Sequence, residues 1–223
     1  MKWWVAIAGT AFAAGFVFSS CLVPPTRMPT PPIQTQEALK ILNHSSYVDS
    51  HNYFRVVGEV QNVSTRNTKS NRVTVTFYDS QGTPALTGFN NCFLQILRPE
   101  EKSPFEVVFA ATPPAENYKL TTSCQVASDE PYRDVEARDF RSQIDADGSY
   151  RVWGTIVNEG SRELQLAMIF GSFYDGSGKT IAVGFTLADT LPLRPRGTSG
   201  FTMVIDAKVA SVISTYSLQA EGH

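Results

Sequence analysis

From residue 54 to residue 109, apolar and polar side chains alternate with a period of two in several short runs. Val56, Gly58 and Val60 alternate with Arg55, Val57 and Glu59. Val73, Val75 and Phe77 alternate with Thr74, Thr76 and Tyr78, and Phe105, Val107 and Phe109 continue the pattern. A strand sends successive side chains to opposite faces, so each run predicts a half-buried strand with the apolar set turned inward. Turn formers such as Ser80-Gln81-Gly82 and Arg98-Pro99-Glu100 separate the runs. Two hairpins are also predicted: Leu39 to Asp49 into Tyr53 to Asn62, and Val135 to Asp145 into Tyr150 to Asn158. The second carries Asp147-Gly148, a strong hairpin signal. Beyond the first two dozen residues there is no helical stripe. Short strands with regular turns predict an all-β fold of antiparallel sandwich type rather than a parallel sheet.

The pattern occurs twice. Shifted by 96 positions, Arg55 to Val108 aligns with Arg151 to Val204 without a gap, and 17 of the 54 aligned residues are identical. Gly58 meets Gly154, Asn62 meets Asn158, Phe77-Tyr78-Asp79 meets Phe173-Tyr174-Asp175, and Leu97-Arg98-Pro99 meets Leu193-Arg194-Pro195. An ungapped match of that length is beyond chance, so two tandem, immunoglobulin-like sandwiches are expected, over residues 38–128 and 135–223. The polar, charged stretch from Ser128 to Asp139 marks the boundary, with residues 129–134 as the linker.

The first 37 residues are written differently. After Met1-Lys2, the apolar run from Trp3 to Phe18 ends in Ser19-Ser20-Cys21, the form of an export signal over residues 1–21. Phe18-Ser19-Ser20-Cys21 resembles a bacterial lipobox, which implies lipidation at Cys21. Trp3 to Val23 is also long enough, as a helix, to span about 30 Å of hydrocarbon. Lipidation, an uncleaved anchor and simple cleavage all fit, and each places the rest of the chain outside the cytoplasm. Residues 22–37 hold five prolines, at 24, 25, 29, 31 and 32. They predict an extended linker holding the body away from the membrane.

Composition narrows the function classes. Nineteen basic and 21 acidic side chains give a net charge of −2, so the basic excess of a nucleic-acid binder is absent. With three histidines and three cysteines, no His-x-x-x-His or Cys-x-x-Cys spacing occurs. Nor is there a nucleophile elbow, Walker loop or dinucleotide fingerprint. No cofactor and no catalytic residue are expected. Asp145-Ala146-Asp147-Gly148 imitates the start of a calcium loop but lacks its later bidentate Glu, so it is taken as a turn. Asp79, Asp175, Asn62 and Asn158 also occupy turn-forming positions. The acidic residues Asp129, Glu130, Asp134, Glu136 and Asp139 are interleaved with Arg133 and Arg138 and fit a solvated linker. Trp153 stands where the first copy has Val57, on the face opposite Val152, Gly154 and Ile156; it packs in the other sheet contact or against the first domain or, if exposed, marks a binding patch.

Val56-Val57-Gly58-Glu59-Val60-Gln61-Asn62, followed by Phe77-Tyr78-Asp79-Ser80-Gln81-Gly82, resembles the FxLYD domain, as do their counterparts in the second copy. The signature's Phe and Leu are here Val75 or Gly171 and Phe77 or Phe173. The resemblance implies a small immunoglobulin-like sandwich on an exported prokaryotic protein, without known catalytic residues. Cys92 and Cys124 fall on Ala188 and Ala220 under the 96-residue shift. Paired loss of both suggests neighbouring sites, hence an expected Cys92–Cys124 disulfide, with two buried free thiols as the alternative. Two functional readings follow. One is a non-catalytic protein-interaction or scaffold module at the cell envelope, tethered to the membrane through its N-terminus. The other is an extracytoplasmic ligand- or calcium-binding protein using the interdomain region.

Overall fold

Alternation does build strands. The computed structural model describes residues 38–110, 113 and 117–223. The expected signal, Pro-rich linker and lipidation residue Cys21 lie outside these. The strands are β1 (Leu39–Val48), β2 (Phe54–Asn62), β3 (Thr68–Tyr78), β4 (Pro84–Asn91), β5 (Ile96–Leu97), β6 (Lys102–Phe109) and β7 (Tyr118–Val126). They continue as β8 (Val135–Ile144), β9 (Tyr150–Asn158), β10 (Ala167–Tyr174), β11 (Thr180–Leu187), β12 (Thr198–Ile205) and β13 (Thr215–Gly222). Among the described residues there is one short helix, α1 (Ala207–Ala210), between β12 and β13. No helix among the described residues is long and apolar enough to cross a membrane.

All named strand pairs are antiparallel. The first half holds a β1-β2-β6 sheet and a sheet in which β3 pairs with β4 and β5 along one edge and β7 along the other. Val56, Val60, Phe105 and Val107 from one sheet meet Val73, Val75 and Phe77 from the other in a single core. The second half holds β12-β9-β8 and β11-β10-β13, which enclose Val152, Ile156, Phe201 and Met203 with Ile169 and Phe173. These are the inward sets expected from alternation.

Hydrogen bonds repeat along with the strands. Asn62 is fully buried; its Nδ2 donates to Leu97 O at 2.9 Å and Arg66 O at 2.8 Å. Asn158 Nδ2 donates to Leu193 O at 3.1 Å and Arg162 O at 2.7 Å. Asp79 Oδ1 accepts from Gln81 N and Thr83 N, as Asp175 Oδ1 does from Ser177 N and Lys179 N. Both are Asx turns of the expected kind. The two asparagines do more than end strands: each satisfies carbonyls in the interior.

Gly58 is glycine for a reason that only the fold reveals. β1 bulges between Ile41 and Asn43, and a Cβ on Gly58 would strike Asn43 O and, at 2.8 Å, the Phe105 ring. Gly154 sits beneath the corresponding bulge in β8, where a Cβ would lie 2.8 Å from Phe140 Cα.

The halves join face to face, and Thr35–His223 forms one compact unit. The outer face of β1-β2-β6 receives β11 and the outer face of β10. Val57 is fully buried there. Glu59 Oε1 accepts from Ser172 Oγ at 3.0 Å and from Tyr174 OH at 2.9 Å. Asn43 Oδ1 accepts from Thr180 N at 2.8 Å, and Phe170 packs against Phe93 with ring centroids 5.8 Å apart. The linker is not wholly solvated. Arg133 turns inward to Glu101 and to Glu221 at 2.8 Å each, and Glu221 is 1% exposed. A buried carboxylate needs such a partner.

Candidate functional site

Two regions could carry function: a cleft at the junction of the halves, and the outer face of β8-β9-β12.

The cleft has a volume of about 510 Å³, and Asp49, Ser50, His51, Arg55, Glu106 and Asp206 lie along it. Asp49, at the β1–β2 turn, is 1% exposed. Its Oδ1 accepts from His51 N and Tyr53 N at 2.9 Å each, and its Oδ2 from Arg55 Nε at 2.6 Å. Arg55 also reaches Glu106 at 2.7 Å. Burial pushes the Asp49 carboxyl up, but the Arg55 guanidinium and the two N–H groups outweigh it and hold the group below the usual carboxylate range. Asp206 caps α1 through Oδ1, and its Oδ2 accepts from Ser50 N and Ser50 Oγ at 3.1 and 2.6 Å. Here too the bonds from Ser50 and Lys208 N overcome burial and lower the pKa.

Asp49, His51 and Asp206 place potential ligand atoms within 4.8 Å of one another, the one such cluster among the described residues. Each carboxylate oxygen, however, already accepts at least one bond from the chain. A cation at Asp49 would also compete with Arg55. The arrangement is a latch between the halves. No local pattern announces it, because Asp206 is 155 positions from His51 and its counterpart in the first copy is Ala110. The acidic linker residues form no cluster of this kind. Glu136 and Glu130 pair with Arg138 and Arg98, and Lys69 stands 4.0 Å from Asp129. Asp145-Ala146-Asp147-Gly148 is a turn: Gly148 N donates to Asp145 O, Asp147 Oδ1 accepts from Ser149, and Gly148 has φ +83°.

The second region centres on Trp153 in β9. Paired with Arg141 and Thr202, it points away from the core and is half-buried. Beside it lies a shallow cavity of about 460 Å³, formed with Gln143, Asp145, Arg151 and Thr202. Exposed Val204 extends the apolar surface on β12. This is the same sheet face that β2 uses to bury Val57 under the second half.

The cysteine expectation needs correction. Both Cys92 and Cys124 are free thiols, the first buried and the second half-buried. They lie on the two sides of β3, Cys92 just after β4 and Cys124 within β7. Two strand spacings come to about 9.5 Å, beyond the 4.4–6.8 Å Cα separation of a disulfide. The paired replacement also fails. Val75 pairs with Leu120, whereas Gly171 pairs with Leu218, so β7 and β13 are offset by 98 rather than 96. The residue in register with Cys124 is therefore Gly222, not Ala220. The segment containing α1 accounts for the offset.

No family model and no curated protein matches the chain. Solved structures similar to it include Amycolatopsis orientalis exo-chitosanase CsxA complexed with PNP-beta-D-glucosamine, at TM-score 0.27 and 13% identity over 83% of this chain and 25% of that one. A second CsxA structure, described as an exo-beta-D-glucosaminidase inhibited by a glucosamine-configured castanospermine and an amino-australine analogue, matches at 0.27 and 12%. The chain spans about a quarter of those proteins.

Proposed function

We propose that the chain is a non-catalytic, membrane-tethered extracytoplasmic protein-interaction module, with the outer face of β8-β9-β12 as its docking face. One observation carries this reading. The homologous face, β1-β2-β6, is a protein-docking surface within the molecule: it buries Val57 and Glu59 under β10 and β11. Its counterpart presents Trp153 and Thr155 at those positions, on the outer side of the sheet and half-buried. Trp and Arg side by side, as Trp153 and Arg151 are, are the residue types enriched at interface centres. The FxLYD resemblance and the export-type N-terminus support an envelope address. The partner is a protein, and no nucleic acid is involved. Crosslinking in the native membrane tests the reading. A protein recovered with the wild type and lost with Trp153→Ala supports it; identical recovery with both overturns it.

A specific observation, the convergence of Asp49, His51 and Asp206, favours a calcium-binding reading instead. Their occupied oxygens oppose it. Added calcium is expected to leave the thermal midpoint unchanged; a saturable rise abolished by Asp206→Asn would instead establish the cation site.

A further inference from the structure

The row of side chains across the docked face of the first half lies in register with a row in the second. Ser45, Val57 and Glu106 stand side by side on β1, β2 and β6; Arg141, Trp153 and Thr202 hold the same places on β8, β9 and β12. Next to each row, Glu59 is matched by Thr155. In the first half these positions serve the contact between the halves. Ser45 Oγ donates to Thr180 O at 2.7 Å, and Glu59 accepts from Ser172 and Tyr174. The second half thus has hydroxyls in place of both carboxylates, and a guanidinium where Ser45 stands.

That guanidinium is not neutralised within the described chain. Arg138 on β8 pairs with Glu136 at 2.7 Å and Glu159 at 2.8 Å, and Arg151 on β9 pairs with Asp145. Arg141 is exposed, directly across from Trp153, and makes no ion pair or side-chain hydrogen bond among the described residues. An indole beside an unpaired guanidinium forms one patch that is both apolar and cationic. Its complement is an apolar side chain next to a carboxylate, which the planar guanidinium can hold through two N–H groups.

A second copy of the chain does not supply that complement in the manner of the internal contact. There, the second half brings Met168, Phe170 and Phe185 of β10 and β11; Met168 and Phe170 pack against the core of the first half. The matching positions on β3 and β4 are Arg72, Thr74 and Phe89, with the Arg72 guanidinium 4.3 Å over the Phe89 ring. Docking that face would carry a cation to a surface that already holds Arg141, like charge against like.

We infer that the occupant of the β8-β9-β12 face is an acidic segment of another protein, with an apolar side chain on Trp153 and a carboxylate held by Arg141. The inference rests on the docking reading of that face and adds the chemistry of the partner.

The test uses the full-length chain in uncharged detergent micelles, with Trp3→Phe and Trp4→Phe so that Trp153 is the sole indole. The probe is acetyl-Glu-Leu-Glu-Leu-Glu-amide, and its twin with Gln for Glu is the control. A saturable change in Trp153 emission is expected, with the acidic peptide binding about tenfold tighter, the size of one hydrogen bond to a charge. Arg141→Met, at an exposed position that folding does not use, should bring the acidic peptide down to the level of its twin. Equal affinities for the two peptides, an acidic-peptide affinity unchanged by Arg141→Met, or a response to phosphatidylglycerol in the micelles but to neither peptide would overturn the assignment. Crosslinking in the native membrane separates this inference from the reading beneath it. Loss of the Trp153-dependent capture in Arg141→Glu supports both. Capture that survives Arg141→Glu leaves the docking face standing and overturns the acidic partner; no capture by the wild type overturns both.

Discussion

The two halves share strands, cores and turn bonds but differ in what their equivalent surfaces meet. Val57 on β2 is fully buried where the second half lies on its sheet, whereas Trp153 on β9, 96 residues later, is half-buried. Glu59 is matched to Tyr174 and Ser172; its counterpart Thr155 has no partner from another sheet. What the halves hold in common is therefore what folding requires. Where they differ marks what each is used for.

Removing a shared element should damage both halves alike. Phe105→Ala and Phe201→Ala each empty a fully buried ring site and should cost about 3–5 kcal/mol in urea unfolding. A large inequality would show that the halves do not contribute equivalent cores. Asn62→Ala and Asn158→Ala leave interior carbonyls unbonded and should each cost about 2–3 kcal/mol.

Mutations where the halves differ should separate them. Val57→Ala removes buried carbon and should cost about 2 kcal/mol, while Trp153→Ala should stay within about 1 kcal/mol of wild type. Comparable losses would mean that the β9 face is structural. The smallest contrast is in acid. The folded-state pKa of Asp49 lies below its unfolded value, so its contribution is complete above roughly pH 4 and fades as pH falls through the folded value. Asp145, its counterpart, is also lowered, by Gln143 first and then Arg151, but lies nearer solvent. Asp49→Asn should therefore flatten the acid loss of stability more than Asp145→Asn does, as read from midpoints between pH 5 and about pH 2.5.

Much of this fold was legible in the sequence, because alternation and turn residues are local signals and the repeat supplied a second reading of each. Val56, Val73 and Phe77, with their counterparts, turned inward as their spacing required. What escaped depends on distant pieces of chain. The bulges that make Gly58 and Gly154 obligatory lie in neighbouring strands. The latch joins Ser50 to a residue 156 positions away. The cysteine pairing failed because a correct shift was carried past the aligned span, across a segment holding a helix that no stripe announced. Trp153 was placed on the correct face by alternation alone; that its counterpart is buried by a docked half became visible only in three dimensions.

The most direct test of the docking face puts a photo-crosslinking residue at position 153 and, separately, at Thr121 on the exposed outer side of β7, in intact cells. The account predicts a covalent protein adduct from position 153 and none from position 121. No adduct at 153, or equal adducts at both positions, would contradict it.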